Sequence, residues 1–142
     1  MNIDSIKNGV VIDHITAGRG MRLYELLGLD SLDCSVALIR NVGSKKMGKK
    51  DIIKIDAAIT LNFDVIGFVD PDVTVNIIEN SVITEKRSID IPETLTNVVY
   101  CKNPRCITSI EQELPHVFFL ADESKEVYRC LYCEEKFNKA NL

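Results

Sequence analysis

The sequence lacks the features that mark several large classes of protein. No apolar segment reaches the roughly 18 to 20 residues needed to cross a bilayer, and residues 1–4 lack the basic and apolar regions of a signal peptide. The net charge is −4, from 17 Lys and Arg against 21 Asp and Glu, so no overall positive charge attracts nucleic acid or an anionic membrane. We therefore expect a cytoplasmic protein that binds neither membranes nor nucleic acids.

The motifs of common active sites are also missing. The sequence contains no G-x-S-x-G or H-E-x-x-H, and no glycine-rich phosphate loop of the G-x-x-x-x-G-K or G-x-G-x-x-G kind. Cys34 lies in a strand-like pattern that favours a buried, inert thiol, and His116 has no evident partner. We expect no catalytic residue, and any nucleotide would have to be held on a sheet surface by side chains.

The hydrophobic pattern instead predicts two domains. The chain has 142 residues, 46% of them hydrophobic, and the pattern loses any clear period near residue 90, where Pro92 acts as a breaker. We place domains at 1–90 and 97–142 with a linker at 91–96. The second domain is too small to be held by an apolar core alone, so it needs a covalent or metal cross-link.

The first domain has the pattern of an α+β fold. β-Branched runs and turn signals predict strands, and apolar groups at helical spacing predict helices. The predicted order is strand 9–15, helix 21–29 with Gly28 as its stop, strand 34–39, a polar glycine-bearing loop 41–50, strand 51–55, helix 62–69, strand 74–79 and strand 81–86. This order predicts a ferredoxin-like antiparallel sheet with two helices on one face.

The cysteines indicate what holds the second domain together. Four of the five lie in the last 42 residues, at Cys101, Cys106, Cys130 and Cys133, in a C-x4-C…C-x2-C pattern. Two short-spaced pairs can direct four thiolates onto one cation, so we predict a small all-β domain of the rubredoxin or zinc-ribbon type, with one structural Zn²⁺ per chain. Iron is the competing metal, and two disulfides or four unrelated thiols are the alternatives without one.

A basic stretch in the first domain suggests a binding site for an anion. It contains Lys45, Lys46, Lys49, Lys50 and Lys54. It could be a solvated loop. Alternatively, Lys54 meets Asp13 and His14 at the end of the first strand and Lys86 on the last, where cationic groups would bind phosphates and the carboxylate would accept from ribose hydroxyls or an ammonium.

Four segments carry a resemblance to a known family. They are GVVIDHI at 9–15, MGKKDIIKI at 47–55, TVNII at 74–78, and NVVYC at 97–101 with the cysteine pattern that follows. Together they resemble the regulatory chain of aspartate carbamoyltransferase over essentially the whole sequence. The resemblance implies a non-catalytic subunit in pyrimidine biosynthesis, with an N-terminal allosteric domain that binds nucleotides and a C-terminal zinc domain that contacts the catalytic chain.

The resemblance also implies roles for individual residues. Lys86 and His14 match phosphate contacts, Asp13 and Lys54 match ribose and base contacts, and Ile6 and Ser81 match backbone contacts to the base edge. The remaining pocket positions are Asp4, Ser5, Val11, Asn76, Ile78 and Ile83. The four clustered cysteines match the zinc ligands, and Asn103 and Glu134 match positions that face the catalytic chain.

In such a family CTP inhibits, ATP activates and UTP often assists CTP, while three regulatory dimers join two catalytic trimers into a dodecamer. We hypothesise that the zinc domain transmits the signal as a rigid body, with residues 89–96 as the hinge. One alternative is a zinc-ribbon nucleic-acid-binding protein, although residues 97–142 hold six Lys and Arg against seven Asp and Glu. Another is a small redox enzyme that uses the cysteine pairs.

Overall fold

The computed structural model describes residues 6–137. The chain divides between Asp90 and Ile91 into two compact units. Asp4 and Ser5, two of the predicted pocket residues, lie outside the described residues.

The first unit is an antiparallel sheet with two helices. Its elements are β1 (Gly9–Thr16), α1 (Gly20–Leu26), β2 (Val36–Ser44), β3 (Gly48–Ile55), α2 (Phe63–Val69), β4 (Thr74–Glu79) and β5 (Val82–Ser88). The strand order is β2-β3-β1-β4-β5, and every neighbouring pair is antiparallel. The predicted ferredoxin-like arrangement is confirmed, with β5 as the additional edge strand.

One face of this sheet forms the main core of the first unit. Ile12 lies opposite Ile53 on β3 and Val75 on β4, and all three side chains are fully buried. α1 packs on this face, because a Cβ at Gly20 would lie 2.9 Å from Leu38, which is the β2 partner of Ile53. We call this the Ile12 face. Since alternate residues of a strand point to opposite faces, Val11 belongs to the other one.

The opposite face, named here the Val11 face, carries a smaller apolar cluster. Ile6, Val11 and Ile78 are buried together, and Ile52 packs against them. β5 borders this face as an edge strand, and all seven of its residues are exposed. The Val11 face therefore combines a small buried cluster with an accessible edge, while most of the buried apolar side chains of the unit lie on the Ile12 face.

The ends of both helices follow from local chemistry. α1 ends before Gly28, whose φ of 67° is the left-handed conformation that glycine adopts without a steric cost. α2 begins after Asn62, whose side-chain oxygen accepts hydrogen bonds from the backbone N–H groups of Asp64 and Val65. Among the described residues, no helix has the length and apolar character needed to span a membrane.

The predicted loop at 41–50 is wrong, because most of it is strand. β2 continues to Ser44 and β3 begins at Gly48, so the two strands form a long hairpin with a short turn. Lys, Gly and Asn have low intrinsic preference for strands, but backbone pairing along the hairpin overrides that preference. Cys34 also differs from expectation: it precedes β2 and is only partly buried.

The second unit is a small all-β unit with one short helix. It contains β6 (Thr94–Thr96), α3 (Ile107–Ile110), β7 (Val117–Asp122), β8 (Val127–Cys130) and β9 (Lys136–Phe137), and its sheet has the order β6-β7-β8-β9. Apart from Pro92, the buried apolar side chains in its described part are Leu95, Val99, Phe118 and Tyr128, together with the thiols of Cys106 and Cys130.

Most of the segment that the sequence assigns to a linker takes part in this second unit. β6 pairs with β7, and the Glu93 carbonyl accepts a hydrogen bond from the backbone N–H of Leu120. The Pro92 carbonyl accepts one from the Tyr128 hydroxyl. Since β5 ends at Ser88 and β6 begins at Thr94, residues 89–93 belong to neither sheet, and Pro92 and Glu93 among them are hydrogen-bonded to the second unit.

A buried carboxylate fixes the geometry at the start of α1. Asp51 on β3 is fully buried, and its Oδ2 accepts hydrogen bonds from the backbone N–H groups of Gly18 at 3.1 Å and Gly20 at 3.0 Å. Its Oδ1 accepts one from the N–H of Asn41 at 3.0 Å. One side chain therefore satisfies three backbone donors from two different segments, of which the N–H of Gly20 is buried and would otherwise lack a partner.

We expect Asp51→Ala to lower the free energy of unfolding of the first unit by about 1–3 kcal/mol, since that is the cost of leaving one buried donor, here the N–H of Gly20, without a partner. The measurement is urea unfolding of the metal-loaded chain followed by far-UV circular dichroism. Asp56→Ala removes an exposed carboxylate five residues further on and is the matched control. Equal destabilisation by the two variants would contradict this role for Asp51.

Candidate functional site

Four thiols meet in the second unit. Cys101 lies in the loop before α3, Cys106 immediately precedes α3, Cys130 ends β8, and Cys133 lies in the turn between β8 and β9. Their four Sγ atoms all lie within 4.8 Å of one another. We call this set the thiol cluster. The structure therefore brings together the four residues that the sequence pattern groups.

The spacing within the thiol cluster fits a tetrahedral metal ion. The Sγ atoms of Cys101 and Cys133 are 3.6 Å apart, and those of Cys106 and Cys130 are 3.7 Å apart. Four thiolates at about 2.3 Å from one ion lie about 3.8 Å from each other. All four cysteines are free thiols, so the structure does not contain the two disulfides of the alternative prediction. With every coordination position filled by protein, such a site is structural and not catalytic.

Backbone hydrogen bonds shape the two loops that carry the thiols. In the first loop, the Asn103 side chain accepts from the N–H of Arg105, and the Asn103 carbonyl accepts from the N–H of Cys106. In the second, the Cys130 carbonyl accepts from the N–H of Glu134, whose φ is 63°. Asn103 and Glu134, the two predicted contacts to the catalytic chain, thus each lie within a thiol-bearing loop.

The thiols differ in their electrostatic environment. Burial raises the pKa of Cys130, and it raises that of Cys101 to about 12. Burial also acts on Cys106, but hydrogen bonds from the hydroxyl and backbone N–H of Thr108 and from neighbouring thiols outweigh it and lower the pKa to about 7. A bound cation would favour the thiolate form throughout the thiol cluster, since only thiolates ligate metals.

His116 has partners that its sequence position does not reveal. Its Nδ1 accepts a hydrogen bond from the backbone N–H of Cys101 at 3.3 Å, and its ring makes an edge contact with Tyr100. Its own backbone N–H donates to the Asn97 side chain at 2.9 Å. His116 therefore holds the loop that carries the first thiol. Nothing in the sequence around His116 indicates this role.

The predicted nucleotide contacts lie on the first unit, and several share one row across its sheet. Lys54 on β3 is the register partner of Val11 on β1, Val11 is the partner of Asn76 on β4, and Asn76 is the partner of Lys86 on β5. Residues directly opposite one another point to the same face. All four therefore belong to the Val11 face. Lys54 and Asn76 are buried, whereas Lys86 is exposed at the edge.

Strand β1 is irregular at Asp13 and His14. The register of β1 against β3 shifts between Ile12 and Ile15, and His14 has a φ of 59°. This irregularity lets Ile12 and Ile15 both be fully buried although they are three residues apart. The Nδ1 atom of His14 is buried and has no hydrogen-bond partner among the residues that the structure describes.

Asp13 is held by a residue that the sequence analysis did not assign to it. Lys50 Nζ lies 2.9 Å from the Asp13 carboxylate. Burial raises the pKa of Asp13, but hydrogen bonds from Lys50 and from the His14 backbone N–H outweigh it and keep the pKa below its ordinary value. The sequence analysis placed Lys50 in the polar loop, whereas it lies on β3, where its register partner on β1 is Thr16.

The remaining predicted contacts lie around the same face. Ile6 and Ile78 belong to its buried cluster, and Ile83 is the β5 partner of Ile78. Ser81 lies in the turn between β4 and β5 with a φ of 66°, and its backbone N–H donates to the carbonyl of Lys7 at 2.8 Å.

Comparison with known proteins decides the family. Residues 1–90 match the family model described as "Aspartate carbamoyltransferase regulatory chain, allosteric domain", and residues 93–142 match the one described as "Aspartate carbamoyltransferase regulatory chain, metal binding domain". The chain belongs to the family of aspartate carbamoyltransferase regulatory chains. It is a non-catalytic subunit of a carbamoyltransferase, so the nucleic-acid-binding and redox-enzyme alternatives are not supported.

Similar regulatory chains come from several bacteria. The chain is 50% identical over 142 residues to the aspartate carbamoyltransferase regulatory chain of Clostridium botulinum strain Hall, covering 100% of this chain and 97% of that protein. It is 52% identical to that of Clostridium tetani, covering 95% and 94%. It is 40% identical to that of Bifidobacterium longum, covering 96% and 98%.

We expect metal removal to unfold the second unit of this regulatory chain, because its described apolar core is small and a structural metal contributes on the order of 10 kcal/mol at neutral pH. The measurement is far-UV circular dichroism during titration with a mercurial in the presence of a chelator. Restoring thiol and metal should restore the spectrum. An unchanged spectrum after complete metal removal would contradict this expectation.

Proposed function

We propose that this regulatory chain binds a nucleoside triphosphate on the Val11 face of its first unit and controls a catalytic chain that contacts its second unit. The observation that carries the proposal is the row formed by Lys54, Val11, Asn76 and Lys86, which crosses four strands of one sheet. The family's allosteric domain coincides with the unit that holds this row.

The charges on this face suit a polyphosphate at its edge. Lys86 is exposed on β5, where its ammonium is free to approach phosphate oxygens, and we assign it a phosphate contact together with His14. An imidazole nitrogen donates when protonated and accepts when not. The Nδ1 of His14, for which the described part of the chain supplies no partner, is therefore available to donate to a phosphate oxygen.

The buried part of this face suits a nucleoside. Within residues 6–137, the Oδ1 atom of Asn76 is buried and has no hydrogen-bond partner, an arrangement that costs free energy unless a ligand supplies a donor. An exocyclic amino group or a ribose hydroxyl is such a donor. We assign Asp13 and Lys54 to the ribose and base, and Ile6 and Ser81 to the base edge through their backbones. Val11, Ile78 and Ile83 would supply apolar contacts, and Asp4 and Ser5 complete the proposed pocket.

We propose Zn²⁺ as the metal of the thiol cluster, with one ion per chain. Four soft thiolates at tetrahedral spacing suit Zn²⁺, which has no redox chemistry of its own and serves as a structural ion. Held by Cys101, Cys106, Cys130 and Cys133, the ion would cross-link the two loops that carry Asn103 and Glu134. Those two residues would then present a preformed surface to the catalytic chain.

Regulation requires that the effector bind two states of the assembly with different affinities, since equal binding shifts no equilibrium. Couplings of about 1–3 kcal/mol are usual. We propose that CTP inhibits and ATP activates, with UTP assisting CTP, in a dodecamer of two catalytic trimers and three regulatory dimers. The zinc-bearing unit would transmit the signal as a rigid body. Of the predicted hinge at 89–96, residues 89–91 would serve as the connection, because residues 92–96 are hydrogen-bonded to the second unit.

We expect Lys86→Ala to weaken nucleotide binding roughly 10- to 100-fold, because one charge-assisted hydrogen bond contributes about 1.5–3 kcal/mol. The measurement is calorimetric titration of the full chain with CTP and ATP. Aspartate saturation curves of the enzyme assembled with its catalytic trimer should respond to nucleotides only at roughly 10- to 100-fold higher concentrations, while assembly is unchanged.

The matched control is Lys46→Ala, which removes an exposed lysine from the turn between β2 and β3. It should leave both nucleotide affinity and the saturation curves as they are. A Lys86→Ala enzyme that still responds normally to CTP and ATP would show that the phosphate assignment is wrong.

We expect Glu134→Gln to weaken association with the catalytic trimer about tenfold or more, since a carboxylate that pairs with a partner's charge at an interface leaves that charge unpaired when it is neutralised. The backbone of the second unit and its two thiol-bearing loops should be unaffected. The measurement is the concentration dependence of assembly by analytical ultracentrifugation, with metal content checked in parallel. Glu135→Gln, at the exposed neighbouring carboxylate, is the control, and equal losses in both variants would count against the assignment.

A further inference from the structure

The thiol cluster is not symmetric. Cys106 and Cys130 are each only 1% exposed, whereas Cys101 and Cys133 are partly accessible. The buried half also has an additional contact from outside the set of cysteines: the hydroxyl of Thr108 lies 3.1 Å from the Sγ atom of Cys106. Thr108 is itself 3% exposed, so water does not compete for this hydroxyl.

The hydrogen-bond partner of the Thr108 hydroxyl, a cysteine sulfur, is unusual for a threonine in a helix. Such a hydroxyl commonly donates to a backbone carbonyl three or four residues earlier. In α3 it is instead directed at a sulfur two residues earlier, and the short helix begins immediately after that cysteine. The backbone of α3 therefore sets the distance between the hydroxyl and the sulfur.

We propose that Thr108 is a positioning residue of the metal centre, which holds the Cys106 thiolate in its ligating orientation and slows loss of the ion. The inference rests on the proposed metal binding by the thiol cluster. A hydroxyl that donates to a thiolate offsets part of its negative charge without occupying a coordination position. Outer partners of this kind orient metal ligands, and their loss typically costs about 10- to 100-fold in metal affinity.

The geometry also indicates the order in which the ligands release the ion. Cys106 and Cys130 form the buried pair and Cys106 is fixed by Thr108, so the ion would separate first from Cys101 and Cys133, where water and competing ligands have access. Removing the Thr108 hydroxyl would loosen the half that otherwise retains the ion. The effect should therefore be seen in the rate of metal release.

The chain offers a matched control one residue away. Ser109 lies in the same short helix, and its hydroxyl donates to the carbonyl of Asn103 at 2.7 Å, within the same thiol-bearing loop. Ser109→Ala therefore tests whether any lost hydroxyl in α3 has the same effect. Thr108→Val removes the hydroxyl and keeps the volume, while Thr108→Ser keeps the hydroxyl and removes the methyl group.

The experiment uses the full chain loaded with Zn²⁺ and mixed with excess chromogenic chelator, so that metal release is followed by absorbance. Thr108→Val should release Zn²⁺ about 10- to 100-fold faster than the unchanged chain. Thr108→Ser should restore slow release, and Ser109→Ala should release the ion at close to the original rate.

A second measurement distinguishes a direct contact between Thr108 and the Cys106 sulfur from a general effect of the substitution on the stability of the second unit. In the Co²⁺-loaded chain, the sulfur-to-cobalt charge-transfer absorption should move to lower energy in Thr108→Val, because a thiolate without its hydrogen bond gives up an electron more easily. The band should return in Thr108→Ser and stay unchanged in Ser109→Ala. If the valine variant does not fold, Thr108→Ala supplies the same comparison without the added methyl group.

Each outcome decides the question. Unchanged release and an unchanged band in Thr108→Val would overturn the role of Thr108 and leave the metal site intact. Equal acceleration in Thr108→Val and Ser109→Ala with no shift of the band would mean that α3 only stabilises the loop, which also overturns the proposal. Failure of the unchanged chain to bind one Zn²⁺ or Co²⁺ would overturn the metal site as well.

Discussion

The second unit depends on the mutual approach of four thiols. Its described apolar core consists of a few side chains around Phe118 and Tyr128, far less than a domain needs to fold by burial alone. The thiol cluster supplies the missing constraint, because a single ion would join two loops that lie more than twenty residues apart in sequence. The surface that contains Asn103 and Glu134 depends on those loops being held, so the contact proposed above for these two residues would have the same origin as the stability of the unit.

In the first unit, buried carboxylates accept hydrogen bonds from backbone N–H groups at the ends of the elements. Asp51 accepts three backbone hydrogen bonds, and Asp70, also fully buried, accepts from the backbone N–H groups of Thr16 and Asp72. Both act near the end of β1 and the start of α1, where the chain leaves the sheet. In each case a side chain replaces the backbone pairing that a loop cannot provide.

Much of this molecule could be predicted from its sequence because several patterns have few structural solutions. The two closely spaced cysteine pairs predict a metal centre, and β-branched runs such as 9–15 and 74–79 predict strands. The hairpin of β2 and β3 was missed because its polar residues have low strand preference, and Lys50 was missed with it. Thr108 was missed for another reason: a threonine two residues after a cysteine is common, and only the folded helix directs its hydroxyl to the sulfur.

The two faces of the first sheet have a consequence for how such a protein evolves. The side chains that hold the unit together lie mainly on the Ile12 face, whereas Lys86, Ser81 and Ile83 lie at an exposed edge of the other. Substitutions at that edge alter little of the core, so natural variation there is tolerated by the fold. With the effector bound on the Val11 face as proposed above, a few substitutions at this edge would change which small molecule the chain responds to, while the Ile12 face and its core would stay the same.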